Sequence, residues 1–439
     1  MRARTVTAVL AALLPGLIVV DFVNGALGQS LGLDKLPASP GELVRGVVFA
    51  IALALAFASW QRELRPMLLG FLAVALTLGP GFLRGLTSGG GLGEFDRMFK
   101  LLYGPVLVVF YARLFRRHGV ELNTILQAEA VMGAIAGASI VMLQAVGVGR
   151  ATYGQYSSAF AGLFIAQNDI GLTMSLTLFA ATDRLASTRR LVWVLCCGLI
   201  MVGMLVLGTR TGTLGALAVP MAVFWLHRRE FAMRSRLPAV IAMLLVLVGG
   251  LALAAMRQYQ VITSEGYQER KYTSLFEGEM PRAVLLAGAL KYVVTRPRSA
   301  DVIGDGTVKF QQAVARALGM QQTRKEVELD WMDLFGGYGV IGLVGVYFYY
   351  LVFFWRCFRL RRMRVRGAMQ LFLLMLGFFV LHATMAGHAM GSPLAAGAMA
   401  PVLAFLWLAL TSERLVSVAA PADAGPPAGE PDDLLSPVG

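Results

Sequence analysis

Long apolar stretches separated by short polar ones recur along the whole chain. Uninterrupted runs fall near residues 6–26, 43–60, 66–83, 98–112, 123–146, 160–181, 191–208, 212–227, 237–255, 334–355, 367–387 and 392–411. A helix needs roughly 20 residues, at 1.5 Å each, to cross a hydrocarbon core. Backbone groups in lipid have no water to bond, so a continuous run must satisfy them internally, as a helix. A membrane β-barrel is excluded, because its strands alternate apolar and polar residues and these runs do not. The pattern predicts an all-α polytopic membrane protein of about twelve transmembrane helices. The run 98–112 is the weakest of the twelve, since it carries Lys100.

The polar connections set the orientation. With Met1 in the cytoplasm, the short inside segments carry 21 basic residues, among them Arg113, Arg116, Arg117 and the Arg356–Arg366 cluster. The short outside ones carry seven: Lys35, Arg45, Arg84, Arg97, Lys100, Arg150 and Arg210. That bias predicts an N-in, C-in topology. It divides the chain into helices 1–9 over 1–256, a large periplasmic loop over 257–333, helices 10–12 over 334–412, and a tail over 413–439. The tail is rich in Pro, Ala and Asp and is expected to be disordered. Ala26-Leu27-Gly28 is a poor cleavage site, so the first helix is expected to stay uncleaved.

Composition agrees. Hydrophobic residues make up 57% and charged residues 15%, against about 45–50% and 25% in soluble domains, which excludes a soluble multi-domain enzyme. The net charge of +13 is explained by topology and attraction to anionic lipid rather than by nucleic acid. Cys196 and Cys197 lie inside an apolar run and Cys357 on the cytoplasmic side, so they suggest neither a disulfide framework nor a zinc site.

The loop 257–333 is far longer than an ordinary connection and is expected to be functional. Pro281 sits where a helix would start, Ala283–Val294 reads as that helix, Arg296-Pro297 stops it, and Gly304-Asp305-Gly306 is a turn. A second amphipathic stretch follows at about Lys309–Leu318. Two kinds of charge stand at the outer boundary. Arg210 lies in a connection so short that two helix ends must fix it; the plain alternative is an interfacial, snorkelling arginine. Glu326, Glu328, Asp330 and Asp333 enter the tenth span, where carboxylates also suit a helix N-terminus. Boundary charges that face an interior are functional by default.

Four patterns, in order, resemble the O-antigen polymerase/ligase superfamily of membrane glycosyltransferases. Gly162-Leu-Phe-Ile-Ala-Gln-Asn168-Asp-Ile-Gly171 is similar to its G-x-F-x-x-x-N-x-x-G element. Thr209-Arg210-Thr211-Gly212 resembles its S-R-[TG]-[GA] element. Pro281-Arg282, a helix, Pro297 and Gly304-Asp-Gly306 resemble its loop arginine followed by a helix and a G-x-G turn. Glu328-Leu-Asp330-Trp-Met-Asp333 with Tyr338-Gly339-Val-Ile-Gly342 resembles the element of polysaccharide polymerase-like members. The superfamily's ligases carry a His eleven residues before the first Gly of the last step. Here that position is Glu328, and His118, His227, His382 and His388 all lie outside the loop. The polymerase-like branch is therefore favoured over a lipopolysaccharide O-antigen ligase.

The resemblance implies inverting glycosyl transfer at the periplasmic face of a bacterial inner membrane, in surface polysaccharide or exopolysaccharide biosynthesis. The donor would be an oligosaccharide on undecaprenyl pyrophosphate and the acceptor a glycan hydroxyl. Membrane lipid and chain-length or export proteins are the expected partners, without nucleic acid. Arg210 and Arg282 would bind the pyrophosphate, and Glu328, or failing that Asp330, would take the acceptor's proton. Asn168, Asp333, Tyr338 and Lys100 are candidate substrate contacts. An interhelical hydrogen bond for Asn168, an aromatic-belt role for Tyr338 and snorkelling for Lys100 stay open beside them. No cofactor or metal is expected; the alternative is Mg²⁺ held by Glu328, Asp330 and Asp333. His382 and His388, six residues apart, do not share a helix face, and His388 reads as interfacial. A lipid-linked oligosaccharide flippase or secondary transporter is the rival from another class. Against it, no internal duplication is evident.

Overall fold

Each predicted apolar run that falls among the described residues forms a helix over most of its length. The computed structural model describes residues 2–31, 39–58, 64–151, 159–188, 190–228, 281–320, 324–360 and 366–411. These contain fourteen helices: α1 (Arg2–Leu31), α2 (Pro40–Phe57), α3 (Arg65–Thr87), α4 (Leu92–His118), α5 (Leu122–Val146), α6 (Gln167–Thr188), α7 (Leu191–Leu207), α8 (Arg210–Leu226), α9 (Pro281–Thr295), α10 (Arg298–Ile303), α11 (Thr307–Ala317), α12 (Asp330–Leu360), α13 (Arg366–Met385) and α14 (Pro393–Thr411). The predicted run 237–255, the first part of the long loop and the tail lie outside the described residues. Six of the fourteen are long and apolar enough to cross a membrane, and α7, α8, α13 and α14 contain shorter apolar helices. The protein is an all-α, multi-pass membrane protein.

One boundary differs from the expectation in kind, while others are longer, the run 98–112 for instance being part of Leu92–His118. The run 160–181 does not start as a helix. Phe160–Gly162 pairs antiparallel with Arg150–Ala151 in a two-stranded sheet, and α6 begins only at Gln167. Ala161 of that strand is buried in the helical core, Phe160 packs against it and Leu163 is buried beside them, a demand hydropathy cannot tell from a span.

The helices fall into a centre and a ring. α6 is buried on every face from Ile170 to Thr182, and α14 is buried from Leu394 to Ala409. The ring turns its large apolar residues outward, for instance Leu43, Val47 and Ile51 on α2 and Leu76 and Leu83 on α3. So many exposed apolar side chains suit lipid rather than water. Small residues bring the ring close: a Cβ on Gly203 of α7 would lie 2.6 Å from the Gly137 Cα of α5, a backbone approach typical of helices packed in membranes.

The loop has its own small core. Leu285, Ala289, Phe310, Val314, Val327, Leu329 and Met332 are buried together. The expected helix and second amphipathic stretch are α9 and α11. Between them the short α10 forms where the sequence suggested only a stop and a turn. Gly304 and Gly306 are left-handed, and their segment docks on the start of α12: Asp305 N–H donates to Gly336 O at 3.1 Å and Gly306 N–H to Gly337 O at 2.9 Å. α12 itself is broken at Gly339, whose φ is 66°. Only glycine fits there, because a Cβ would lie 2.3 Å from the Val302 carbonyl oxygen.

Candidate functional site

The N-termini of α4, α6, α8, α12 and α14 meet the C-termini of α3 and α13 at one end of the bundle, and the α9–α11 loop covers that end. Two buried carboxylates hold the cover in place. Glu94 of α4 is fully buried and accepts the first two N–H groups of α11, from Thr307 at 3.0 Å and Val308 at 2.7 Å. A carboxylate at a helix N-terminus satisfies donors that no helical carbonyl can reach. Asp305 is also fully buried. Tyr292 donates to it at 2.9 Å, and Arg84 and Lys309 at 3.4 Å and Arg296 at 3.7 Å surround it. Burial and the Asp305 carboxylate push the Tyr292 phenol up to about 12. The Arg296 side chain, with no exposure, bonds Asp301 and the Gly336 carbonyl and stacks on Phe335.

Beneath this cover two strips of backbone lie against each other: residues 326–330, leading into α12, and the turn 387–390 between α13 and α14. Asp330 joins them. Its carboxylate accepts the N–H groups of His388, Ala389 and Met390, each at 2.8 Å. A Cβ on Gly387 would lie 2.4 Å from the Glu328 carbonyl group. Among the described residues only Glu328, with φ 63°, and His388, with φ 60°, are left-handed without being glycine. One sits on each strip, beside the Asp330 clamp, and such strain persists only where surrounding structure enforces it.

Ion pairs radiate from the strips. Glu328 accepts from Lys325 at 3.1 Å and stands 3.7 Å from the Arg282 Nε. Glu326 lies 3.5 Å from Arg97 of α4, accepts from Gln311 at 3.2 Å, and is 3.6 Å from the His388 ring. Arg97, helped by His388, Lys100 and Lys325, holds the Glu326 carboxyl below its ordinary range in spite of burial. Asp169, at the start of α6, faces Ser392, His388, Lys100 and Arg45.

The four sequence patterns pair off in space. Gly171 packs on the hydroxyl of Thr209, where an added Cβ would be 2.8 Å away, so the first pattern touches the second. Thr209 caps α8 by accepting the Gly212 N–H at 3.1 Å, which sets Arg210, half-buried, on the first turn. The third pattern meets the fourth through the Gly304–Gly306 turn and through Arg282 and Glu328. His382 joins the pairs: its Nδ1 is 3.3 Å from the Thr211 hydroxyl, and Arg282 is near enough to act on it electrostatically.

Several predicted site residues have different surroundings from those expected. Asp330 is 1% exposed and both its oxygens are engaged by backbone N–H groups, so it is a clamp rather than a reserve base. Asp333 is 3% exposed and accepts the Val327 N–H at 3.1 Å. With both engaged, the Mg²⁺ set of Glu328, Asp330 and Asp333 is not assembled, and among the described residues no group of three or more His, Cys, Asp or Glu is placed to hold a metal. Tyr338 is fully buried and offers no face to a sugar. Lys100 bonds Asp96 at 2.7 Å, with Glu42 at 3.7 Å. Asn168 is half-buried at the start of α6. Sequence reasoning missed Arg97, Glu326 as a partner of His388, and the part both histidines play here. The available signal was a histidine in Gly387-His388-Ala389-Met390-Gly391, between two apolar runs and expected on the same side of the membrane as Arg210.

No known family model matches the chain. No curated protein matches it in sequence either.

Proposed function

We propose that the protein is a membrane glycosyltransferase that transfers an oligosaccharide from a polyprenyl pyrophosphate to a glycan hydroxyl. In this reading twelve spans run N-in, C-in through a bacterial inner membrane, and the loop-covered end faces the periplasm. The observation that carries it is the contact between Arg282 and Glu328, distant in sequence and 3.7 Å apart in space, beside the His382–Thr211 link to Arg210. A half-buried guanidinium aimed at a carboxylate can exchange that partner for a phosphate, which it grips in a fork that lysine cannot form.

The acceptor oxygen attacks the anomeric carbon from the face opposite the leaving group, and the bond from that carbon to the pyrophosphate oxygen breaks. Negative charge gathers on the pyrophosphate. Arg282 and Arg210 face that charge, and one such preorganised donor is worth about 3–4 kcal/mol in a transition state. Glu328 holds Arg282 in place until phosphate arrives. A place for the lipid also supports the reading. An apolar groove of about 660 Å³ is lined by Phe179, Val219, Phe354, Leu374, Phe378 and Leu381, among others, and Leu381 adjoins His382. A prenyl chain fits its chemistry.

The test is purified full-length protein with a lipid-pyrophosphate-linked oligosaccharide. Lengthened glycan and released lipid pyrophosphate are expected, and Arg282→Ala and Arg210→Ala should each slow product formation by about 100-fold or more. Unchanged product from both variants would sink the arginine assignment. Translocation of the lipid without any bond change would favour a flippase.

A further inference from the structure

We infer that His388 is the base that takes the proton of the acceptor hydroxyl, and that Glu326 is the residue that positions it; this rests on the glycosyl-transfer reading above. The backbone is the first argument. His388 is held left-handed, a conformation unfavourable for a residue with a Cβ, by three consecutive N–H groups bonded to the buried Asp330. The direction in which the side chain leaves the backbone is thereby fixed. The second argument is the carboxylate. Arg97 and Gln311 both address Oε1 of Glu326, which leaves Oε2 turned to His388 Nδ1 at 3.6 Å. That distance is longer than a hydrogen bond, as catalytic contacts often are before substrate closes the site. A carboxylate at Nδ1 fixes the proton there and leaves Nε2 as the acceptor. The side chain is 25% exposed, so part of it is open to a substrate.

Glu328 is less suited to the task. One oxygen accepts from Lys325 and the other faces Arg282. Both are turned to cations, one of which is the proposed phosphate ligand.

In the step, the acceptor O–H bond breaks as its oxygen bonds the anomeric carbon. The proton goes to His388 Nε2, and the electron pair of the broken sugar–phosphate bond leaves with the pyrophosphate. Imidazolium forms between carboxylates. Glu326 lies beside it on the strip before α12, Asp169 faces it from α6, and Asp330 holds the backbone beneath it. The positive groups around it are Arg97 and Lys100 of α4, reached through Glu326 and Asp169, and His382 of α13 when protonated.

The experiment measures single-turnover rates between about pH 5 and 9 for full-length wild type, His388→Asn, Glu326→Gln and Glu328→Gln in lipid nanodiscs. Asparagine is chosen because it tolerates the left-handed backbone. Wild type is expected to lose rate on the acid side as the imidazole protonates. His388→Asn should be slower by about 100-fold or more, should still bind the lipid-linked donor, and should lack the acid limb. Glu326→Gln should slow the step at saturating donor while donor binding stays as in wild type, the split expected when a positioning residue is lost. In His388→Gly, which accepts the same φ, added imidazole should restore rate, which a purely structural histidine would not permit. An acid limb kept by His388→Asn, or one lost only in Glu328→Gln, overturns the assignment and leaves the transferase reading standing. A wild type that consumes no donor at any pH overturns both.

Discussion

Replacing Glu94 by glutamine keeps the side chain's shape and changes its hydrogen bonding. The two carboxylate oxygens each accept one backbone N–H, of Val308 at 2.7 Å and Thr307 at 3.0 Å, in a fully buried place. Glutamine has one acceptor oxygen and an NH₂ group. One of the two N–H groups must then face a donor. A hydrogen bond to a charged partner contributes about 1.5–3 kcal/mol, and a stranded buried donor costs about 1–3 kcal/mol. Relief by shifting is restricted, because Gly85 and Gly90 press on this side chain so closely that a Cβ on either would come within 2.5 Å of it. The sum is about 2.5–6 kcal/mol, which at about 1.4 kcal/mol per tenfold is roughly two to four powers of ten in the local opening of α11. Hydrogen exchange of the amides in 308–317, in full-length protein in nanodiscs, reads that equilibrium, with the far half of α4 as the internal control. Glu94→Asp, which keeps the charge on a shorter arm, should fall between. Protection in Glu94→Gln within about threefold of wild type would refute the idea that this cap anchors the loop.

Asp305→Ala should loosen the same loop by another route. It removes the acceptor shared by Tyr292, Arg84 and Lys309 and leaves Arg296 with Asp301 and the Gly336 carbonyl, and a stranded buried donor costs about 1–3 kcal/mol. Tryptic cleavage within 281–320 of the otherwise intact protein should therefore speed up strongly, and an unchanged rate would argue that Arg84 and Lys309 do not depend on that carboxylate. For Glu326 the sign follows from its partner. Arg97 lowers its folded pKa below the ordinary 4.5, so the unfolded chain binds this proton more readily. The stabilisation is fully present above the ordinary value and is lost as pH falls through the lower folded one. Thermal unfolding of Glu326→Gln should therefore lie beneath that of wild type near pH 7 and approach it as the pH falls well below the ordinary carboxylate range. A difference that does not vary with pH would remove the Arg97 pairing as its cause.

Part of the site is legible in the chain alone. Arg210 stands out because only Gly208 and Thr209 separate the helices on either side of that junction, and Arg282 and Glu328 stand out by pattern and place in the loop. Asp330 and Asp333 stand out for the same reason, yet their carboxylates are turned inward onto backbone N–H groups. A string of acidic residues looks alike whether each member meets a ligand or a peptide bond. His388 carries the opposite lesson. In the sequence it is a lone histidine between two apolar runs, and only its φ, the Asp330 clamp and Glu326 distinguish it from an interfacial residue.

Among the described residues, the presence of most helices is written in the residue order. The reason is local: backbone groups in an apolar run must bond within that run, and a polar connection marks its end. Which charges meet is settled by the folded bundle. Glu94 finds Thr307 across 213 positions and Asp330 finds His388 across 58. Such pairings follow from how helix ends gather and how closely glycines let backbones approach, and no local pattern encodes either.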